Sequence, residues 1–258
     1  MPEILLDFWN WILAGWDSFW AWIRLYIPLD WRWNMFFKAF PFVAKGLKVT
    51  AGLTIITYIF ALIVGFVWTF LRRIPNKPVN FIVTWTMEFI RSTPPLVQLY
   101  FMFYSLPKLA GITLDPYTVA ILTLGVHFST YIGEVYRAGI EAVDEGQWEA
   151  ATALNMSTYQ KWIKIILPQA IPPTIPMLGN YLIIMFKEIP LVSIIGVVGI
   201  LHLAQDFGSI HYRYLESITV VAILFLVLSY PSALIVNYLE KKMNNKYGEE
   251  NLYLEEDR

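Results

Sequence analysis

The stretch that decides the fold is GQWEAATALNMSTYQKWIKIILP, residues 146–168. It is polar and rich in helix-forming residues, and it stands between long apolar segments with the length of membrane-spanning helices. Connections between membrane helices are usually short and carry no helix of their own. A surface helix with small side chains suits docking into a groove on another protein. The pattern therefore predicts a surface helix that begins at Gly146 and ends at Pro168, since proline lacks the amide donor.

The composition indicates an integral membrane protein. Of the 258 residues, 57% are hydrophobic and 15% are charged, whereas soluble domains have about 25% charged residues. The net charge of -1 gives no electrostatic reason to expect nucleic acid as a partner. The absence of cysteine excludes disulfides, thiolate catalysis and cysteine-based metal sites. The acidic N-terminus lacks a basic region, which argues against a cleavable signal peptide.

Several apolar segments are long enough to cross the bilayer, at residues 46–71, 79–106, 117–137, 171–186 and 216–239. Arg72 and Arg73 follow the first segment, and Lys241 and Lys242 follow the last. Because cytoplasmic flanks are enriched in lysine and arginine, these residues mark the cytoplasmic ends and place residues 146–168 in the cytoplasm. We predict an all-α membrane protein with about five transmembrane helices, an N-terminal amphipathic helix and a cytoplasmic surface helix.

The N-terminal segment has its own pattern. Five tryptophans lie between residues 9 and 22, and polar residues recur at alternating steps of four and three. These steps put the polar residues on one side of a helix. The pattern favours an amphipathic helix over residues 4–28 that lies flat in the headgroup region. The alternative is an extra crossing helix, which would bury two aspartates at a cost on the order of 2.5 kcal/mol each.

Charged residues inside the apolar segments are candidates for a solute pathway, because placing them in a bilayer is costly. Glu88 and Arg91 are three residues apart, as are Glu134 and Arg137, so each pair can meet on one helix face. Pro94–Pro95 disfavours helix within the second crossing. Irregular backbone at membrane depth is tolerated where it lines a cavity or is buried in protein. The alternative is that the pairs lock helices together and the prolines form a structural kink.

Two stretches resemble the permease subunits of ABC importers of the polar amino-acid family. Residues 146–168 resemble the EAA loop, which in that family is the coupling helix that seats in the ATP-binding subunit. This chain has Asn155 where the family usually has glycine. Because asparagine is the next-best residue for a left-handed turn, the turn is expected to survive. Residues 134–140, EVYRAGI, resemble the pattern E-x-x-R-x-G-I that precedes the loop.

The resemblance extends to a third stretch in the same order. Residues 88–99, EFIRSTPPLVQL, resemble the family pattern E-x-x-R-G-T-P-L-L-V-Q-L, with Ser92 and Pro95 as departures. Residues 187–188 resemble the family's pairing of a lysine with an acidic residue. Pro190, together with residues 205–214, resembles the ectoine-type permeases of this branch.

The resemblance covers roughly residues 33–242 and implies a function in transport rather than catalysis. It implies a permease for polar or zwitterionic amino-acid-like solutes in the bacterial cytoplasmic membrane. The chain has no G-x-x-x-x-G-K-[ST] phosphate loop, so ATP with magnesium is expected on a separate ATPase, with no cofactor or metal in this chain. The implied partners are a pair of ATP-binding subunits, a second permease chain (the same or a paralogue), an external solute-binding protein and the lipid bilayer, without nucleic acid.

These expectations translate into domains and residues. We expect a tryptophan-rich segment at 1–32, the transporter domain at 33–246 and an acidic cytoplasmic tail at 247–258. The resemblance assigns coupling to the ATPase to Gly146, Gln147, Glu149, Ala150, Ala151, Asn155 and Pro168. The solute pathway is assigned to Glu88, Arg91, Gln98, Tyr131, Glu134, Lys187 and Glu188. Because Ala151 is small, a bulky replacement there is expected to leave the protein folded and to uncouple ATP hydrolysis from uptake.

Two other classes of function compete with this interpretation. A stand-alone secondary transporter or channel would use the charged residues as an ion pathway. It leaves the surface helix unexplained, and the sequence shows no evident inverted repeat. A membrane-bound enzyme would need a catalytic constellation, and the sequence offers no Ser/His/Asp, histidine-rich or carboxylate cluster. Co-purification with a nucleotide-hydrolysing subunit distinguishes an ABC permease from a stand-alone transporter.

Overall fold

A computed structural model describes residues 30–256, with side chains to residue 242, and residues 10, 11, 13–16, 18 and 21 of the N-terminal segment. Those eight N-terminal residues are helical. The question whether residues 4–28 lie flat or span the bilayer falls outside the described residues. Within the described part every regular element is a helix. The predicted all-α membrane fold is therefore confirmed.

The α-helices follow one another as α1 (Trp33–Ala44), α2 (Leu47–Leu71), α3 (Lys77–Ser92), α4 (Pro95–Tyr100), α5 (Leu106–Ala110), α6 (Pro116–Glu141), α7 (Glu145–Ala153), α8 (Thr158–Gln160), α9 (Leu167–Glu188), α10 (Ile200–His211) and α11 (Tyr214–Glu256). π-helical turns occupy Phe101–Ser105 and Lys161–Ile166, and a 3-10 helix occupies Ile189–Ile195. The segment predicted as an acidic tail continues α11 without a break as far as Glu256.

Four helical stretches in the described chain are long and apolar enough to cross a membrane: Trp33–Leu71, Pro116–Glu141, Thr158–Ile195 and Tyr214–Lys242. They contain four of the crossings predicted from the sequence. The remaining one, residues 79–106, is a series of shorter helices. The helix is interrupted at Thr93 and Pro94, as the sequence predicts. Both residues have an extended backbone, with ψ of 128° and 135°.

Helices α2 and α6 form the centre of the bundle. The buried face of α2 carries small side chains at steps of three and four, namely Thr50, Thr54, Thr57, Ala61, Gly65 and Thr69. Gly65 and Thr69 meet α6, whereas Thr50 meets the start of α10. Small residues allow membrane helices to approach closely. A Cβ on Gly133 of α6 would lie 3.2 Å from the carbonyl oxygen of Gly65. The hydroxyl of Thr69 donates to the carbonyl oxygen of Gly133 at 3.0 Å and strengthens the same contact.

Charged side chains lie at both ends of the bundle. Arg72, Arg73 and α7 lie at one end, which we call the basic end. At the opposite end, Gly46 directly precedes α2 and packs closely on the Gly199 backbone. A Cβ on Gly46 would come within 2.6 Å of that backbone. There Arg213 donates to Asp30 at 2.6 Å, and this hydrogen bond, with a further one from Arg32, holds the pKa of the Asp30 carboxyl below its usual value.

Candidate functional site

Helix α7 and the turn that follows it occupy an exposed position at the basic end. The side chain of Asp144 accepts a hydrogen bond from the Gly146 amide at 2.7 Å and starts the helix. At the other terminus the amide of Met156 donates to the Ala151 carbonyl at 3.1 Å, and the amide of Asn155 donates to the Thr152 carbonyl at 2.9 Å. These two bonds form a Schellman motif. Asn155 has φ of 52°, so the predicted left-handed turn is confirmed.

The prediction of one continuous helix from Gly146 to Pro168 is wrong, because a second helix begins after the turn. Ser157 and Gln160 form a capping box, in which each side chain accepts from the other residue's amide, at 3.3 and 2.9 Å. The spacing S-x-x-Q is a helix-start signal that the sequence analysis missed. We call residues 144–166 the surface segment, with α7 before the turn at Asn155 and α8 with its π-helical turn after it.

Pro168 does not end a helix, contrary to expectation. It lies in the first turn of α9, and α9 continues to Glu188. The π-helical turn at Lys161–Ile166 comes directly before it. A π-helical turn shifts the backbone hydrogen-bond register, which accommodates the missing amide donor of the proline. The surface segment is therefore continuous with a membrane helix on its C-terminal side.

The residues predicted for coupling differ in exposure. Ala151 is 3% exposed and faces its own chain, so the expectation that a bulky residue there would leave the protein folded conflicts with its burial. The other six are exposed: Gly146, Gln147, Glu149, Ala150, Asn155 and Pro168. Two large apolar side chains of the surface segment are also exposed: Leu154 is 75% exposed and Tyr159 is 74% exposed. Neither was predicted from the sequence as a coupling residue.

The end of α2 contacts both halves of the surface segment. The Arg73 guanidinium carbon lies 5.0 Å from the ring centroid of Trp162 and 5.7 Å from that of Trp148. The two indoles meet edge to face, with centroids 5.4 Å apart. Phe70, one turn earlier on α2, packs against Trp162 at 5.7 Å. We call Arg73, Trp148 and Trp162 the indole clamp, and it joins α2 to α7 and to the π-helical turn.

A second group of charged residues lies near the basic end, and we call it the ion cluster. It comprises Arg72, Glu88, Arg91, Glu134, Arg137 and Glu141. Glu134 is its centre: it pairs with Arg72 from the end of α2, with Arg91 of α3 at 3.5 Å and with Arg137 at 2.7 Å. Three arginines balance three glutamates, so the cluster is neutral. The pairs predicted at three-residue spacing are present, and Arg72 is a member that the sequence analysis missed.

Tyr131 and Gln98, also predicted for the pathway, adjoin this cluster. The guanidinium of Arg91 lies 5.8 Å from the ring centroid of Tyr131, and Tyr131 lies 5.8 Å from Tyr181. The side-chain amide of Gln98 donates to the carbonyls of Ile90 and Thr93 at 2.7 and 3.1 Å. Gln98 therefore binds backbone carbonyls at the break after α3, where the Ile90 carbonyl also accepts from the Thr93 amide; this is a structural use of its amide group.

The remaining two predicted pathway residues lie elsewhere. Lys187 and Glu188 are at the C-terminal end of α9, which leads away from the basic end. Lys187 is exposed and Glu188 is half-buried. The structure therefore brings together Glu88, Arg91, Tyr131 and Glu134, with Gln98 beside them, and leaves Lys187 and Glu188 apart from this group.

A polar line on α6 extends from the ion cluster toward the middle of the bundle. Thr123, His127, Tyr131 and Glu134 follow one another at steps of four, four and three residues, which puts them on one helix face. Two atoms on this line, Thr123 Oγ1 and His127 Nδ1, and the neighbouring Arg91 Nε of α3 are buried without a hydrogen-bond partner in the described part of the chain. Buried polar atoms normally have partners, so these groups have unused capacity for a ligand or water. Thr123 and His127 could have been predicted as part of this line, because their spacing from Tyr131 and Glu134 puts them on the same helix face.

The comparisons with known proteins agree with this architecture. Residues 58–245 match the family described as binding-protein-dependent transport system inner membrane component. The chain is 36% identical over 200 residues to a probable amino-acid ABC transporter permease, y4tG of Sinorhizobium fredii, covering 78% of this chain and 86% of that one. It is 32% identical over 207 residues to the arginine transport system permease ArtQ of Bacillus subtilis, covering 80% and 92%.

Solved structures give the same result. A crystal structure of an amino acid ABC transporter with histidines superposes with a TM-score of 0.76 at 31% identity, covering 83% of this chain and all of that one. The MetNI methionine ABC transporter in an inward-facing conformation superposes with a TM-score of 0.64 at 20% identity, covering 78% and 96%. At that identity the second likeness concerns the fold alone.

Proposed function

The chain belongs to the family of binding-protein-dependent transport system inner membrane components, as a permease subunit of an amino-acid ABC importer, and on this premise we propose that it moves polar or zwitterionic amino-acid-like solutes across the bacterial cytoplasmic membrane. The work comes from a separate ATPase pair that binds ATP with magnesium and docks on the surface segment. A second permease chain and an external solute-binding protein complete the proposed assembly.

The observation that supports docking is the exposure of Leu154 and Tyr159 at the basic end. Each is about three-quarters exposed. Leu154 lies in the turn after α7, and Tyr159 lies among polar residues in α8, at the very start of the stretch Thr158–Ile195 and ahead of its apolar part. Apolar side chains exposed together outside the lipid mark contact sites for other proteins. Ala150 and Gly146 are small and exposed beside them, which lets the backbone of α7 approach a groove closely.

The docking proposal is tested with a matched pair of leucines. Leu154→Arg places a charge at the centre of the proposed interface, whereas Leu109→Arg makes the same change on α5, where the leucine is 73% exposed. We expect Leu154→Arg to reduce recovery of the ATPase with the affinity-tagged permease by about tenfold or more, as for loss of a central interface residue. Leu109→Arg should leave recovery unchanged. Equal recovery with both variants would reject the surface segment as the docking site.

The groups around Arg91 indicate the class of solute. The guanidinium of Arg91 is a donor of the geometry that binds carboxylates, and its Nε has no partner in the described chain. The rings of Tyr131 and Tyr181 lie next to it, and aromatic faces attract ammonium groups. A zwitterionic solute presents both a carboxylate and an ammonium group. The neutral ion cluster adds no net field that would select solutes of one sign.

Glu88 and Glu141 provide a matched test of the pathway. Both are glutamates on the ion cluster with similar exposure, 59% and 57%, and each pairs with one arginine. Glu88 pairs with Arg91, whereas Glu141 pairs with Arg137. We expect both Glu88→Gln and Glu141→Gln to fold normally, because exposed ion pairs stabilise by about 0 to 1 kcal/mol. Only Glu88→Gln should change the KM for solute uptake into proteoliposomes. Loss of folding in Glu88→Gln would count against the pathway role.

A further inference from the structure

We propose that Arg73 is a positioning residue for coupling, which ties the surface segment to the ion cluster so that a displacement of the segment reaches Glu134 and Arg91. This inference rests on the proposed function, since it concerns how the docking of an ATPase is passed to the membrane. The contacts that carry it run from the surface segment, through the end of α2, to the break after α3.

The first link is the indole clamp. Trp148 precedes the left-handed turn at Asn155 and Trp162 follows it, so the two indoles belong to separate halves of the surface segment. Arg73 contacts both rings, at 5.7 and 5.0 Å. Below them Val143 and Ile166 are buried, so the clamp rests on a small apolar cluster. The surface segment therefore meets α2 through a cation held by two aromatic faces, a contact that requires a planar guanidinium in a defined place.

The second link is the covalent connection between Arg73 and Arg72. Both residues directly follow α2 and are hydrogen-bonded to its last turn: the Arg72 amide donates to the Trp68 carbonyl and the Arg73 amide donates to the Phe70 carbonyl, each at 3.1 Å. Arg73 contacts the surface segment, while Arg72 pairs with Glu134. A hydrogen-bonded helix end moves as a unit, so Arg73 cannot shift along the bundle without shifting Arg72.

The third link leads from Glu134 to the interrupted crossing. Arg91 Nη2 lies 3.5 Å from Glu134 Oε1, and Arg91 is two residues before the extended backbone at Thr93. Arg91 also faces the ring of Tyr131. A displacement of the surface segment thus reaches, through Arg73, Arg72 and Glu134, the residues proposed to contact the solute. Energetic coupling between distant sites is carried by such contiguous networks of packed and charged groups.

A plain alternative is that Arg73 serves only as one of the positive charges that fix the orientation of the chain. Lys77 offers the control for this, because it is an exposed cation in the same loop region, at the start of α3. Arg73→Gln and Lys77→Gln remove the same charge from the same end of the bundle. Only Arg73→Gln removes the contacts with the indoles. Arg73→Lys keeps the charge but loses the flat guanidinium.

The experiment measures the number of solute molecules taken up per ATP hydrolysed, in proteoliposomes that contain the full permease–ATPase complex. We expect Arg73→Gln to retain ATP hydrolysis and to lower this ratio by about tenfold, because losing two cation–π contacts lowers the equilibrium population of the intact clamp by about that factor and only the intact clamp passes on the displacement. Arg73→Lys should recover part of the ratio, and Lys77→Gln should match the unaltered protein. A ratio in Arg73→Gln equal to that of Lys77→Gln would overturn the inference.

A second variant protects the test against a folding defect. Trp162→Phe keeps an aromatic ring against Phe70 but offers a weaker face to the cation, so it should lower the ratio less than Arg73→Gln. If Arg73→Gln does not accumulate, an unchanged ratio in Trp162→Phe rejects the inference and a reduced one supports it. Failure of the proposed function gives a different result: the unaltered chain would then co-purify with no ATPase, and both proposals would fall.

Discussion

Glu134→Gln is expected to destabilise the protein by about 2 kcal/mol or more and to abolish solute uptake. Glu134 is the shared counter-ion of Arg72, Arg91 and Arg137. Removing one partner of a buried ion pair costs about 3–5 kcal/mol because the other charge is left uncompensated. Glu134 is 23% exposed, so solvent reduces this cost without removing it. The neutral amide would leave Arg72 without its carboxylate, and the cluster would keep three arginines against the two glutamates Glu88 and Glu141.

The measurement is thermal unfolding of the purified permease in detergent, together with uptake in proteoliposomes. Glu141→Gln is the control, because Glu141 is 57% exposed and, within the part of the chain that the structure describes, pairs with Arg137 alone. Its loss should change stability by no more than about 1 kcal/mol. If Glu134→Gln unfolds at the same temperature as Glu141→Gln, the three ion pairs at Glu134 do not hold the bundle together.

Replacing two neighbouring alanines by tryptophan should give opposite results. Ala151 is 3% exposed, whereas Ala150 is exposed on the same helix. Ala151→Trp forces an indole between α7 and the chain beneath it, and overpacking of this kind costs about 1–3 kcal/mol or more. We expect little folded protein from this variant. Ala150→Trp should fold as the unaltered chain does, because the side chain of Ala150 is exposed among the described residues.

Ala150→Trp is also expected to impair coupling between the permease and the ATPase. Ala150→Trp puts a bulky ring on the face proposed to enter the ATPase, so uptake should fall by about tenfold or more, as for the loss of a central interface residue. Size-exclusion profiles measure the folded fraction, and paired uptake and hydrolysis measurements report coupling. Normal uptake by Ala150→Trp at normal expression would show that the docking face lies elsewhere on the surface segment.

Several features of the protein were open to prediction because they depend on neighbours in sequence. Apolar runs and their basic flanks indicate which segments cross the membrane, since the bilayer imposes length and polarity on each segment separately. The break at Thr93 and Pro94 follows from proline geometry. The left-handed turn at Asn155 follows from the tolerance of asparagine for positive φ. The pairs at positions 88 and 91, and at 134 and 137, follow from helix periodicity.

The predictions that are wrong concern residues whose position depends on contacts between elements. Pro168 is a helix breaker by local rules, but the π-helical turn before it carries the helix onward into α9. Ala150 and Ala151 are identical as residue types, and only the packing of α7 on its own chain buries one and exposes the other. Gln98 was a candidate for solute binding, and the fold uses its amide to bind the carbonyls at the break.

What the sequence determined by itself was the membrane class, the position of the crossings and the surface segment, because each of these is set by composition or by periodicity within a short window. What only the tertiary structure decided was which charges meet. Arg72 and Glu134 are distant in sequence, as are Arg73 and Trp162. These two contacts exist because α2 packs closely on α6, which brings the end of α2 against Glu134 and against Trp162. Lys187 and Glu188 carry the same kinds of charge, but the direction of α9 leads them to the other end of the bundle.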